Sequence, residues 1–436
     1  MQAVIMAGGK GTRLHAITND KIPKPMALVA GRPLLEHQIE CLKRQGITDI
    51  VMVIGHLGHK IQEYFGDGKK FGVKLTYIEE TVPLGTAGIL SQLPPFLGGA
   101  AFFLIFGDIL FDIDLERMWK FHTEKNAYAT LFIHPNTHPF DSDLVEYDSD
   151  GRIRRLLLKH DIRTGFYRNC VNAGIYIFDK KVCSHVPKLK KTDLEKELLT
   201  ALVKEGRAIY GYRSPEYVKD VGTVERIHKA EEELQNNLVS ARSLLKRQRA
   251  IFLDRDGTIN RKDGLIYQES QFELEPYAIE AIRRINGSGY LAIVVTNQPV
   301  VARGLCRIED VEQIHKKMET LFGREGVYLD DICFCPHHPD KGYPEENPAY
   351  KMPCRCRKPG IGMLMTCAEK YNIDLKASWM IGDTTVDIQT GKNAGSKTAL
   401  VLTGEAGQDG KYSIKPNLIC KDLLEAVEKI LKFELV

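Results

Sequence analysis

Two aspartates with one residue between them, Asp254 and Asp256 in "IFLDRDGTIN", end an apolar run and open a Gly-Thr turn. On an extended chain a spacing of two puts both carboxylates on the same side. A carboxylate nucleophile needs that arrangement, because a separate acid must protonate the leaving oxygen. Two like charges so close also demand a cation. Further on, Cys335-Pro-His337 and Cys354-Arg-Cys356 bracket a sixteen-residue loop. Three thiolates and one imidazole are the ligand set of a closed tetrahedral zinc site. Such a site leaves no open position for catalysis, so it reads as a structural clamp, with Cys333 as the spare thiol. Buried, unliganded cysteines are the plainer alternative. Near the start, "MAGGKGTRL" (6–14) offers consecutive glycines whose N–H groups can wrap a phosphate chain, with Lys10 and Arg13 as cations. A simple tight turn is the plainer alternative there.

These residues need elements to hold them. Short apolar runs at 2–6, 50–55, 101–106, 251–253, 291–295, 378–381 and 398–402 alternate with amphipathic stretches such as "PLLEHQIECLKRQG" and "EDVEQIHKKMETLFGREG". The alternation predicts an α/β fold of parallel sheets and crossover helices. Ligands of open α/β sheets sit off the C-terminal strand ends, and the chemical residues lie just after the apolar runs. A chain of 436 residues exceeds one ordinary core, so two or three domains are expected. The segment 224–250 is charged, has helical spacing of apolar residues and contains neither Pro nor Gly, which predicts a helical connector with a boundary near 240.

Hydrophobic residues make up 43% of the chain and charged residues 27%, the composition of a soluble globular protein. A net charge of +3, from 60 Lys and Arg against 57 Asp and Glu, gives no basis for a nucleic-acid or membrane partner. No secretory leader and no run of ~18 apolar residues is visible, so the expected location is the cytoplasm and the ten cysteines are expected to be reduced or metal-bound.

The ordered set "MAGGKGTRL", "KIPKPMALVAGRPLLEHQIE", "EETVPLGTAGIL", "FGDIL", "VNAGIYIF" and "YVKDVGTVERI" resembles the sugar-1-phosphate nucleotidyltransferases over residues 1–235. The resemblance implies a Rossmann-like, GT-A-like mixed sheet. It implies that Gly8, Gly9, Gly11, Thr12 and Arg13 cradle a triphosphate and that Lys24 sits on the reacting phosphates. Gly85 and Thr86 would border the base, and Asp108 and Asp220 would hold Mg²⁺. Lys159, Asn172 and Glu195 would contact the sugar phosphate. Two polyanions must be brought together in such a reaction, which is work for lysine and metal.

Residues 249–436, beyond a connector at 236–248, combine "FLDRDGT" with Thr296 in "VVTNQ", Lys358 in "CRKPG" and Asp383 in "MIGDTTVD". This resembles the haloacid dehalogenase superfamily of phosphatases, which implies a Rossmannoid parallel sheet. Asp254 would become an aspartyl phosphate and Asp256 would protonate the leaving alcohol. Thr296 and Lys358 would steady the phosphoryl group. Asp254, the Asp256 backbone carbonyl and Asp383 would hold Mg²⁺, while Asp387 fits a helix face equally well. "CPHHPD", "CRCRKPG" and "TNQPVVARG" point to the D-glycero-D-manno-heptose 1,7-bisphosphate phosphatases, with Arg357 and Arg303 as candidates for the second phosphate.

The two activities implied are consecutive. The phosphatase would release heptose 1-phosphate, and a heptose 1-phosphate guanylyltransferase would join it to GMP from GTP, making GDP-heptose for surface polysaccharide such as lipopolysaccharide. Two alternatives stand beside this: a hexose 1-phosphate nucleotidyltransferase fused to a histidinol-phosphate-type phosphatase, and a regulatory sugar-nucleotide-binding protein. The sequence leaves the nucleobase, the anomer and self-association into a homo-oligomer open.

Overall fold

A computed structural model describes residues 1–9, 21–342 and 345–432. The chain forms two compact units: Met1–His134, Ser142–Asp161 and Cys170–Leu245 in the first, and Pro135–Asp141, Ile162–Asn169 and Lys246–Val436 in the second.

In the first unit the strands Ala3–Ala7, Asp49–Ile54, Lys74–Glu79 and Ala101–Phe106 are mutually parallel, with Ala3–Ala7 between Asp49–Ile54 and Ala101–Phe106. Successive residues of a strand point to opposite faces. Val4 accordingly joins one apolar cluster with Phe102 and Leu104, and Ala3 and Ile5 join another with Phe103 and Ile105. The sheet continues antiparallel through Val171–Asp179, which pairs with Ala129–His134 along one edge and, along the other, with Ala101–Phe106 and, at Val171, with Leu144 of the strand Leu144–Tyr147. The apolar runs read as parallel sheets, whereas these antiparallel strands make the mixed sheet that the resemblance to the nucleotidyltransferases implies. Strands buried on both faces read alike in either direction, so pattern alone could not find this reversal.

Two features of this unit position chemistry. The helix Leu34–Arg44 turns Leu34, Leu35, Ile39 and Leu42 into the core, and its buried Gln38 donates from Nε2 to the carbonyls of Phe106 (2.9 Å) and Ile109 (2.7 Å). That clamps the chain on both sides of Asp108. The strands Ile109–Asp112 and Tyr217–Asp220 then pair antiparallel, and Val221 N–H donates to the Asp108 carbonyl at 3.0 Å. Asp108 and Asp220, 112 positions apart in sequence, are thereby neighbours.

The region read as a helical connector is helical over Val224–Gln235 and again over Leu238–Ala241 only. Asn237 takes a left-handed conformation (φ 58°), which interrupts the helix, and Asn tolerates this better than most residues.

The second unit holds a six-stranded, all-parallel sheet in the order Asp331–Cys335, Tyr290–Asn297, Arg249–Leu253, Trp379–Gly382, Lys397–Val401, Leu418–Cys420. Its central strands are buried but for Arg249 and Asn297 at their ends, as parallel strands covered on both faces must be. Asp254, Thr296 and Asp383 all stand at the C-terminal ends of these strands, where the topology places ligands. No helix among the described residues is long and apolar enough to cross a membrane.

Candidate active sites and metal centre

In the second unit, Lys358 Nζ lies 2.8 Å from Asp254 Oδ1 and 2.5 Å from Asp387 Oδ1. The lysine is buried, and a reciprocal pair fixes its backbone: Lys358 N–H donates to Asn297 Oδ1 (2.9 Å), and Asn297 Nδ2 donates to the Lys358 carbonyl (3.1 Å). Asp387 does two things at once. Its Oδ2 accepts from Thr384 N–H and Oγ1 in a capping box, and its Oδ1 faces the lysine. A Thr-x-x-Asp box was readable in "GDTTVD"; the ion pair with a residue 29 positions away was not.

Asp383 has a fully buried side chain, with Oδ2 accepting from Glu405 N–H (2.8 Å) and from Lys262 Nζ (3.2 Å). Its Oδ1 is buried with no hydrogen-bond partner. Gly257 (φ 85°) sits so close that a Cβ there would lie 2.4 Å from Asp383 Oδ2, which explains the glycine of "DGT". Asp254, Asp383 and Asp387 each offer an oxygen within 4.8 Å of the others. Burial pushes the Asp254 carboxyl up to about 6 against the pull of Lys358. Burial and the charges of Asp254 and Asp387 push Asp383 to about 7. A cluster of carboxylates this crowded and dry is short of positive charge, and an orphaned oxygen among hard donors suits a divalent cation such as Mg²⁺.

Asp256 is placed differently from its expected catalytic pose. Its carboxylate turns to the guanidinium of its own neighbour, with Arg255 Nε–Oδ1 and Nη2–Oδ2 both 2.9 Å. Asn260 Nδ2 (3.0 Å) and Gln298 Nε2 (2.9 Å) also donate to it. Although burial opposes ionisation, Arg255 and these donors hold the Asp256 carboxyl below the usual range. Its carboxylate is outside the cluster that could hold a cation, so only its main chain is left for that expectation. Thr296 is buried, and its Oγ1 accepts from the same Gln298 amide at 3.0 Å. Arg255, Asn260, Lys262 and Gln298 were not found from sequence, because their roles come from contacts that residue type does not announce.

The four predicted zinc ligands converge. Sγ–Sγ separations are 3.5 Å for Cys335–Cys354 and 3.2 Å for Cys356 with both Cys335 and Cys354, and His337 Nδ1 is 3.6 Å and 3.4 Å from Cys335 and Cys356. Zn–S bonds of ~2.3 Å in a tetrahedron put the sulfurs roughly 3.7 Å apart, so the donors stand close to a zinc shell and too far apart for disulfides. Arg357 hangs beside this group, its Nη1 donating to the His337 carbonyl at 3.1 Å, and Arg303 lies near enough to add to its positive field. Cys333 is not a lone spare thiol, for its Sγ meets that of Cys367 at 3.0 Å.

In the first unit, Pro23 and Pro25 bracket the short turn that carries Lys24, a buried lysine whose Nζ lies 2.5 Å from Asp108 Oδ2 and 3.9 Å from Asp220 Oδ1. Arg226 Nη1 meets Asp220 Oδ2 at 2.5 Å, while Asp220 Oδ1 is buried without a hydrogen bond. A Cβ at Gly222 would stand 2.6 Å from that oxygen and 2.9 Å from Lys24 Nζ. Again an orphaned carboxylate oxygen beside a second carboxylate fits a hard cation.

Asn172 and Glu195, both expected at the sugar, stand side by side. Asn172 Nδ2 donates to Tyr176 Oη (2.7 Å) and to Glu195 Oε1 (3.3 Å), and Tyr176 Oη donates to Glu195 Oε1 (2.6 Å). Burial pushes Glu195 up to about 7, and Asn172 Oδ1 is buried without a partner. Gly85 (φ 78°) presses on the Thr192 carbonyl, where a Cβ would come within 2.6 Å, and Thr86 Oγ1 accepts from Leu194 N–H at 2.7 Å. Both expected base-binding residues therefore also fix the segment that carries Glu195. Lys159 is exposed, and its backbone N–H donates to Asp143 Oδ1 at 2.7 Å; its ammonium is not part of the Lys24–Asp108–Asp220 group. Gly8 and Gly9 follow the strand Ala3–Ala7 directly. Lys10, Gly11, Thr12 and Arg13 lie outside the described residues.

Residues 2–237 match the family model for nucleotidyl transferases, and residues 355–426 match that for HAD-hydrolase-like proteins. A UTP–glucose-1-phosphate uridylyltransferase of Synechocystis is 33% identical over 237 residues, covering 51% of this chain and 61% of its own. A mannose-1-phosphate guanylyltransferase of Mycobacterium tuberculosis is 32% identical over 227 residues, covering 52% and 62%. The chain thus spans about three fifths of the length of these two relatives. A D-glycero-β-D-manno-heptose-1,7-bisphosphate 7-phosphatase of Pasteurella multocida is 41% identical over 167 residues, covering 38% of this chain and 88% of its own. With a lysine-bridged carboxylate group in each of its two units, the chain belongs to the nucleotidyl transferase family in its N-terminal part and carries a HAD-like phosphatase in its C-terminal part.

Proposed function

We propose that the protein catalyses two successive steps in making a nucleotide-activated heptose: removal of the 7-phosphate from D-glycero-D-manno-heptose 1,7-bisphosphate, then transfer of GMP from GTP to the resulting heptose 1-phosphate, releasing pyrophosphate. The observation that carries the reading is the buried group of Asp254, Lys358, Asp383 and Asp387, in a segment 41% identical to a phosphatase of that bisphosphate.

The chemistry follows from the residues. Asp254 Oδ attacks phosphorus and the bond to the sugar oxygen breaks; Asp256, which must first take up a proton, gives it to that oxygen and regains one from the water that hydrolyses the aspartyl phosphate and returns the Asp254 carboxylate. Lys358 and Thr296 hold the phosphoryl oxygens as charge moves onto them. Mg²⁺ held by Asp254, the Asp256 carbonyl and Asp383 would supply charge neutralisation and orientation. Arg357 and Arg303 form a positive edge suited to the 1-phosphate that is kept. The zinc group fastens the loop that presents Arg357, and its S₃N donor set leaves zinc no catalytic position.

In the first unit Lys24 screens the repulsion between the triphosphate and the sugar phosphate, and Asp108 and Asp220 would hold the Mg²⁺ of that site. Asn172 and Glu195 meet sugar hydroxyls, and Lys159 the sugar phosphate. The guanine preference rests on ring configuration: the phosphatase relative acts on a manno-configured heptose, and a manno-configured hexose phosphate is the substrate named for the guanylyltransferase relative. The uridylyltransferase relative keeps UTP as the alternative. A nucleoside triphosphate substrate and free cysteines suit the cytoplasm. The test is to supply heptose 1-phosphate with Mg²⁺ and each of the four nucleoside triphosphates separately, identifying products by mass. GDP-heptose is expected; product from UTP or another triphosphate alone would replace the guanine assignment, and no product from any would end the transferase half of the reading.

A further inference from the structure

Arg255 separates the two aspartates of the "DRD" sequence, and its side chain is completely buried. Moving an arginine out of water is expensive unless its donors are matched, and those of Arg255 are. Nε and Nη2 take the two oxygens of Asp256, and Nη1 lies 3.2 Å from His315 Nε2. Arginine can only donate. His315 Nε2 must therefore be a bare acceptor, so the imidazole is the tautomer protonated on Nδ1. The imidazole is held in its turn. His315 is a buried residue of the helix Ile308–Arg324, and the Phe334 ring packs on it in a T-shaped arrangement with centroids 5.3 Å apart at 66°.

We infer that His315 is a positioning residue of the phosphatase, acting through Arg255 on the carboxylate of Asp256. The inference rests on the proposed phosphatase reaction for its catalytic consequence, but the geometry stands by itself. Asp256 has to place one oxygen at the leaving group, and the only side chain between it and the helix Ile308–Arg324 in this chain of contacts is Arg255. Remove the acceptor at His315 and Nη1 is left unmatched in a buried site, so the guanidinium turns toward another partner and takes the Asp256 carboxylate with it. A displacement of the acid by a fraction of an ångström slows the chemical step without changing how the substrate's phosphates are bound.

The experiment compares wild type with His315→Leu, which fills similar space without an acceptor, and His315→Gln, which restores one. Phosphate release from the heptose bisphosphate should show kcat lowered about tenfold in His315→Leu at unchanged KM, with most of the loss recovered in His315→Gln. Circular dichroism and urea unfolding of the same preparations report whether the second unit is folded. Equal kcat in His315→Leu and wild type, or equal losses in both variants, overturns the inference. Should the wild type release no phosphate at all, the proposed reaction falls and the inference is read from ¹⁵N spectra of the wild-type His315 ring. An unprotonated Nε2 coupled to the Arg255 guanidinium upholds the contact; a protonated Nε2 overturns it whatever the activity.

Discussion

Lys358 lies between Asp254 and Asp387, bonded to both, so one buried ammonium is shared by a carboxylate that follows the strand Arg249–Leu253 and one in the first turn of the helix Thr385–Asn393. Such a lysine cannot be replaced by a neutral group without leaving two dry anions facing each other. Lys358→Met is expected to lose at least about 10³-fold in phosphate release, and to unfold at lower urea than wild type. Full activity in the folded variant would remove the lysine from the mechanism.

Asp387 is tied into both a helix cap and this ion pair. Asp387→Asn keeps the shape and part of the cap but loses the charge, and should destabilise the second unit by about 1–3 kcal/mol while leaving nucleotide transfer untouched. Chemical denaturation followed by both assays would show it. A change in neither stability nor phosphate release would mean the contact contributes nothing.

Glu216 gives a prediction about pH. It is buried, accepting at Oε1 from Asp114 N–H (2.7 Å) and Leu244 N–H (2.8 Å) and at Oε2 from Ser214 Oγ (2.8 Å). Burial outweighs these bonds and pushes the carboxyl up to about 8. The folded chain therefore holds a proton that the unfolded chain, titrating near 4.5, gives up. Stability from this group is full below about 4.5 and is lost as pH rises through about 8. Glu216→Gln mimics the protonated form, so its melting temperature should match wild type near pH 5 and exceed it increasingly toward pH 8. A constant difference across that range would show that Glu216 is ionised in the fold.

The cysteine group predicts about one zinc per chain by elemental analysis. A strong chelator should expose the loop at 338–353 to protease and reduce phosphate release, because Arg357 leans on the His337 carbonyl, while nucleotide transfer persists. Unchanged phosphate release from fully zinc-free protein would rule out the clamp.

Much of this was legible in the sequence because it depends on strand ends. Asp254, Thr296 and Asp383 follow apolar runs, and a parallel sheet delivers such residues to one edge. The zinc ligands were legible because donor type and spacing nearly define the site. The role of Asp387 was not, since a residue opening a helix looks the same with or without a lysine across from it. Arg255 was hidden for a related reason: an arginine between two aspartates looks solvated, yet the fold buries it completely and turns it toward His315 of the helix Ile308–Arg324.

The central claim is that one chain carries two separate phosphorus chemistries acting in sequence on one sugar. The most direct measurement supplies the heptose bisphosphate, GTP and Mg²⁺ in one vessel and follows phosphate, pyrophosphate and nucleotide sugar together. Wild type should yield one of each per sugar; Asp254→Asn should yield none until heptose 1-phosphate is added, which restores transfer, and Asp108→Ala should release phosphate only. Loss of both reactions in either folded variant, or transfer onto the intact bisphosphate, would contradict the account.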